Sequence, residues 1–236
     1  MFYIAIVDVV DFFLIEVNIT MGTLIHISTH SLTKVFNMKS TIVLASTSKS
    51  RRELLKNAGI AFKSCNHLID EAKEKKHLLK SAEGPYETAR ALAIKKAFSV
   101  AHKFENALII GSDQILSFND TIFSKSKSSG DLIEQISLFE GQKHTLYSSS
   151  CVVMGGELLW SHTSSAVMTM RHLSLDDIER YVEDNWSDIK NSIGGYHIEG
   201  QGIRLFSSIK GDYFTVRGIP LLELVNFLIN DDRNIC

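Results

Sequence analysis

The sequence predicts an α/β domain built on a mixed, strongly twisted sheet, and three features carry that expectation. Thr41–Leu55, TIVLASTSKSRRELL, passes from a short apolar strand through a Ser-rich loop into an amphipathic helix. Ala107–Gly111 is a second continuous apolar run, the pattern of a strand buried on both faces. His144–Met154 and Leu158–Met170 are β-rich runs on either side of Gly155-Gly156, the pattern of a hairpin. Helical segments alternate with these strands.

Residues 1–37 stand apart from this pattern. MFYIAIVDVVDFFLI is strongly apolar, but Asp8, Asp11 and Glu16 interrupt it. The first Lys or Arg is Lys34, so the basic start of a signal peptide is missing. No run of about 20 apolar residues is present to span a membrane. His26 and His30 sit four apart without an evident third ligand, short of a metal site. We expect residues 1–37 to be an appendage translated from upstream of a start at Met38, and 38–232 to be a single domain.

The following elements come in order. Ile42–Ala45 form a buried strand, and Ser46, Thr47, Ser48, Lys49 and Ser50 the loop after it. Ser50 and Glu53 have the S-x-x-E spacing of a capping box, so the helix is expected to open at Arg51. A first helical turn normally prefers acids, because its free N–H groups and the helix dipole are positive there. Arg51 and Arg52 at that point suggest where an anion lands: hydroxyls, free N–H groups and guanidinium forks suit phosphate oxygens. A capped surface helix with solvated arginines is the alternative. Gly59 fits the position just past the helix end. Gly84–Lys103 reads as a helix, with Pro85 at its first position and Ala89, Leu92, Ala93, Lys96 and Ala97 at helical spacing. The Ala107–Gly111 strand is expected to end in Ser112-Asp113-Gln114, at the carboxyl edge where ligands of α/β sheets sit. Asp131–Phe139 reads as a helix stopped near Gly141. Ser174 caps LDDIERYVE, with Asp176 and Asp177 in its first turn. Pro220 opens a last apolar helix, LLELVNFLI.

Bulk properties narrow the function. Of 236 residues, 44% are apolar, ample for a core. Lys and Arg number 25 against 27 Asp and Glu, so no global field points to nucleic acid or a membrane. Cys65, Cys151 and Cys236 are widely spaced with no CxxC, against zinc or thioredoxin-type chemistry. Free thiols fit a reducing cytosol, and we expect a cytoplasmic protein.

Further segments complete a pattern: Asp70-Glu71, LAIKKA (Leu92–Ala97), IIGSDQ (Ile109–Gln114), SKS (Ser124–Ser126), GGYHIEGQG (Gly194–Gly202) and GDYFTVRGIPL (Gly211–Leu221). In this order and spacing the chain resembles the Maf family of nucleoside triphosphate pyrophosphatases, from about Ser40 to Leu228. Members carry S-x-S-P-R-R-x-E-L-L, a D-E or E-E pair, L-A-x-x-K-A, G-A-D-T or G-S-D-Q, G-K-P, and a G-G-Y stretch near the end. The resemblance implies an elongated two-lobed fold with a central cleft, shared with the inosine triphosphate pyrophosphatases. It also implies a homodimer.

Splitting a nucleoside triphosphate between its α and β phosphates requires charge neutralisation, an aimed water and a hard cation. Arg51, Lys96 and Lys125 are the candidate phosphate cations. Ser46, Ser48 and Ser50 supply hydroxyl and backbone donors. Asp70, Glu71 and Asp113 are the candidate acids. By the resemblance, Asp113 is the proton acceptor, and Glu71 with Asp113 lies near a divalent metal cation, Mg2+ or Mn2+. Each residue also has a plain structural role open to it: Asp113 as a turn cap, Asp70-Glu71 as an acidic turn beside Lys73, Lys75 and Lys76, Lys95 and Lys96 as an exposed helix face, and Lys125 in a polar loop.

The departures are specific. The family Pro after Ser48 is Lys49, and the first arginine of S-P-R-R is Ser50. Ser124 and Ser126 replace the Gly and Pro of G-K-P, which predicts a more mobile loop at Lys125. Gln114 and Glu199 stand where the dTTP/UTP branch has Thr and Gln, and they recur together in the branch resembling 7-methyl-GTP pyrophosphatases. Ser50, Gln114 and Glu199 are therefore the candidate specificity residues. A carboxylate at 199 accepts from the N1–H and amino group of a guanine edge. Two functions from different classes stay open: a housekeeping nucleotide pyrophosphatase, and a nucleotide-binding regulator of septum formation in which hydrolysis is incidental. A paralogue with a crippled site is a third.

Overall fold

The computed structural model describes residues 4–9, 12–19, 23–28, 41–80 and 84–231. His30 and Met38, singled out above, lie outside them. The chain divides into two compact units, residues 1–40 with 225–236, and residues 41–224. In the first, β1 (Ile4–Val9), β2 (Phe12–Ile19) and β3 (Thr23–Ser28) form an antiparallel meander in that order. Ile15 of β2 stands opposite Ile6 on one side and Ile27 on the other.

The second unit is built on a seven-stranded mixed sheet. Its strands are β4 (Ile42–Leu44), β5 (Lys63–Ser64), β6 (Leu108–Phe118), β7 (Thr121–Phe123), β8 (Lys143–Met154), β9 (Glu157–Met170) and β10 (Phe206–Lys210). The order is β10-β9-β8-β6-β4-β5, with β7 paired to β6. β4 runs parallel to β5 and β6, and the other pairs are antiparallel. Among the described residues the helices are α1 (Lys49–Asn57), α2 (Glu71–Lys80), α3 (Pro85–Ala101), α4 (Ser129–Phe139), α5 (Leu175–Ile189), α6 (Tyr213–Val216) and α7 (Leu221–Asn230). Among the described residues, no helix is long and apolar enough to cross a membrane.

Two expectations about element boundaries are corrected. Helix α1 begins at Lys49, with Ser48 rather than Ser50 at its N-cap and no side-chain cap bond. Ser50 is drawn inside the first turn because its hydroxyl donates to the Arg217 carbonyl at 2.8 Å. Strand β6 does not end at Ser112-Asp113-Gln114 but runs on to Phe118. Its polar residues stay in the ladder because β8 pairs it from Ile109 to Ser117. The edge argument survives in another form. β4 stops at Leu44 opposite Ile110, so Asp113 stands just beyond the carboxyl end of that parallel neighbour. Elsewhere the elements fall where expected: Gly155 and Gly156 make the β8–β9 turn at φ 57 and 82, and Pro85 opens α3. Ser174 accepts from the Asp177 N–H, although α5 runs past Glu183 to Ile189.

Helix α3 lies close on the sheet. Ala93, Ala97 and Val100 pack with Val43, Ile109, Cys151 and Val153 in one fully buried cluster. A Cβ on Gly111 would stand 2.1 Å from the Ala93 carbonyl oxygen, so glycine is what lets the helix approach β6. That approach brings Lys96, one turn along, over Asp113. Cys151 is a thiol without a disulfide, pushed up to about 12 by burial and therefore unreactive.

A second core lies under α4 and α5, where Leu132, Ile136, Phe139, Ile178 and Val182 meet Leu146, Met168 and Met170. His144 is buried in it. Its Nε2 is 2.6 Å from the Tyr196 hydroxyl and its ring stacks on Phe139 at 4.7 Å. Burial lowers its pKa from 6.5 to about 4. The unfolded chain therefore takes up a proton first as pH falls. Stability from this site is complete above about pH 6.5 and is lost progressively toward pH 4, by about 3 kcal/mol. Urea unfolding at several pH values should show this slope, and His144→Gln should flatten it relative to wild type.

Candidate active site

The phosphate-side candidates gather where β4 ends. Ser46, buried in the loop, accepts from the Ser48 N–H at 3.2 Å and from Arg51 Nη1 at 3.4 Å. Ser48 is half-buried at the α1 N-cap, and no acid lies in that first turn. Arg51 is buried and donates through Nε to the Gly218 carbonyl at 2.8 Å. Burial lowers its pKa, while Asp113 and Glu71 oppose that shift. Arg52, its neighbour, is exposed.

Lys96 is the centre of the acid cluster. It is buried, and its Nζ stands 2.6 Å from Asp113 Oδ1 and 2.9 Å from Glu71 Oε1. The exposed-face alternative for Lys96 is thereby excluded, while its neighbour Lys95 pairs with Glu74. Glu71 opens α2, and His67 Nε2 sits 2.8 Å from the same Oε1. Burial pushes the Glu71 carboxyl up, but Lys96, helped by His67 and Lys75, outweighs it and holds the group at about 2. Asp70 is exposed and caps α2 by accepting from the Lys73 N–H at 3.1 Å. Asp113 Oδ2 is buried without a hydrogen-bond partner.

Lys125 follows β7 in the loop 124–128. It is open to solvent, yet partial desolvation and the charges of Arg51 and Lys96 lower its pKa, with Glu71 opposing them. Two contacts hold its far end. Ser126 donates to Gln135 Oε1 at 3.3 Å, and Ser128 and Asp131 form a capping box at the start of α4.

The specificity candidates lie on the other face of β6, as the period of two requires: Asp113 turns toward α3 and Gln114 toward α6. The Gln114 amide donates to Ser148 Oγ at 3.0 Å and to the Thr215 and Val216 carbonyls at 3.1 Å. Glu199 is paired through one of its oxygens. Its Oε1 is 3.0 Å from Arg217 Nη1. Ser50 bonds Arg217 as well, and so does Glu53. Sequence reasoning gave no role to Arg217 or His67. Arg217 stands in the quoted GDYFTVRGIPL stretch, but no spacing there connects it to Ser50 or Glu199.

An ammonium bridging two carboxylates, beside a buried guanidinium and a hydroxyl-lined helix start, defines a protein that handles a polyanion with acids held close by. Residues 41–230 match the family model described as Maf-like protein, and the chain belongs to the Maf family. It is similar to a nucleoside triphosphate pyrophosphatase of Ruegeria pomeroyi, 38% identical over 79% of this chain and 94% of that one. A 7-methyl-GTP pyrophosphatase of Rhizobium meliloti is 40% identical over 81% of this chain and 96% of its own length. One of Brucella suis biovar 1 is 42% identical over 78% and 92%. A solved HAM1 protein from Coxiella burnetii covers 80% of this chain and 98% of its own at TM-score 0.39 and 14% identity, a likeness too slight to build on.

Proposed function

We propose that this chain is a nucleoside triphosphate pyrophosphatase that cleaves a modified or non-canonical nucleotide to the monophosphate and diphosphate, a cytoplasmic housekeeping activity. The observation that carries it is Lys96, buried between Asp113 and Glu71 within reach of the Arg51 field. Arg51, Lys96 and Lys125 neutralise the triphosphate, and Ser46, Ser48 and the free N–H groups of α1 orient it. Asp113 takes the proton of the attacking water.

The donor set fits a hard divalent cation, Mg2+ or Mn2+. The orphaned Oδ2 of Asp113 and the second oxygen of Glu71 are oxygen ligands of the right kind. Among the described residues no group of three His, Cys, Asp or Glu side chains is gathered as a ligand set, so nucleotide phosphates and water must complete it. When bound, the cation polarises the attacked phosphoryl group.

For the base, Gln114 and Glu199 favour 7-methyl-GTP over dTTP and UTP. Glu199 retains acceptor capacity beyond its Arg217 bond, whereas pyrimidine carbonyls would face it unfavourably. The test is diphosphate release across a nucleotide panel with and without EDTA. Turnover should be highest with 7-methyl-GTP and should stop in EDTA with the melting temperature unchanged. Full activity in EDTA would sink the metal-assisted chemistry. Tight binding without release from any nucleotide would favour the regulator instead.

A further inference from the structure

We propose that Arg217 is a specificity-determining positioning residue that fixes the Glu199 carboxylate against helix α1, so that the nucleobase meets an immobile acceptor. This rests on the nucleotide reading above. Arg217 follows α6, and its side chain is only 10% exposed while Glu199 and Glu53 are 36% and 46% exposed. All of its nitrogens are engaged. Nε donates to Ser50 Oγ at 2.9 Å, Nη1 to the Tyr213 hydroxyl at 2.8 Å and Nη2 to Glu53 Oε2 at 3.1 Å, and Nη1 is ion-paired with Glu199 Oε1 at 3.0 Å. Its carbonyl receives the Ser50 hydroxyl. The guanidinium also lies 5.7 Å from the Tyr213 ring centroid.

The next residue extends the link. Gly218, at φ 99, offers its carbonyl to Arg51 and to Ser112 Oγ. That conformation is strained for other residues, so glycine is what lets the carbonyl at 218 reach both partners. Ser50 and Arg51 of α1 thus hold consecutive residues of the α6 turn, and the same turn holds Glu199. Glu199 itself sits in a short turn closed by the Gly200 N–H on the His197 carbonyl, and the His197 imidazole is 4.0 Å from its carboxylate. Arg217 is therefore its main anchor. A planar fork with four fixed acceptors sets a carboxylate's position as a lysine ammonium cannot. The distance from the base-side acceptor to the phosphate-side helix becomes a property of one arginine.

The experiment compares kcat/KM for 7-methyl-GTP and dTTP in wild type, Arg217→Lys and Arg217→Met, alone and with Glu199→Ala. Both single variants should lower the ratio about tenfold, through KM more than kcat. In the Glu199→Ala background, Arg217→Met should change the ratio by less than about twofold, since Arg217 acts through Glu199. An unchanged ratio in folded single variants overturns the proposal, as does a double variant whose losses multiply. Equilibrium binding of 7-methyl-GMP and TMP reads the same preference without turnover. A wild type that binds but never releases diphosphate refutes the hydrolytic reading alone, and an unaltered binding ratio in Arg217→Met refutes this one.

Discussion

Asp113→Asn is expected to lower diphosphate release about 100-fold or more, the usual worth of a positioned general base. The amide keeps the shape of the side chain but cannot take a proton from water, and it binds a hard cation poorly. Asp113 is almost wholly buried, with one oxygen held by Lys96 and the other without a partner, so the orphaned oxygen is the atom available to water or metal. The variant should still fold. Lys96 keeps Glu71 at 2.9 Å, so its buried charge is not left alone. Stopped-time diphosphate assays with a melting curve on the same sample separate the two effects. If more than about a tenth of wild-type turnover remains, Asp113 is not the base.

Much of this site was legible because it is local or periodic. Ala93, Lys96 and Ala97 fall on one face of a helix, and Gly111 and Asp113 fall on one face of a strand. The two faces meet once Gly111 removes the obstacle between them. The β8–β9 hairpin was legible in Gly155-Gly156. Other features depend on partners far along the chain. Ser50 has the local spacing of an N-cap, yet a bond across 167 residues to Arg217 overrides that propensity. The same distance hides Arg217, whose neighbours in sequence give no periodic clue to Ser50, Glu53 or Glu199. Strand β6 was expected to stop too early because Ser112, Asp113 and Gln114 interrupt its apolar run. They are tolerated there since each has a partner: the Ser149 carbonyl, Lys96 and the Thr215 carbonyl.

Lys96→Met is expected to lower turnover about tenfold to 100-fold, because it removes a charge-assisted contact worth about 1.5–3 kcal/mol. Its second effect is on pH dependence, and there the sign identifies the cause. Methionine fills the space of the lysine stem without charge, so Asp113 and Glu71 would face each other with no cation bonded between them. In the wild type, burial pushes the Glu71 carboxyl up and Lys96 more than offsets it, which leaves the group at about 2 against an ordinary 4.5. Glu71 therefore stabilises the fold above about pH 4.5, and that contribution is lost as pH falls toward 2. In Lys96→Met the burial remains and its main compensation is gone. The folded-state pKa moves above the ordinary value, and the variant loses stability as pH rises through the carboxylate range. Partial exposure of Glu71 tempers the size of the effect but not its direction. Melting temperatures should thus change in opposite senses at this site, the wild type losing stability as pH falls below about 4.5 and the variant as pH rises above it, with the acid limb of the variant's pH–rate profile moved upward. If the variant retains more than about a third of wild-type turnover and the wild-type slope, Lys96 is neither the bridge between the two acids nor a phosphate contact.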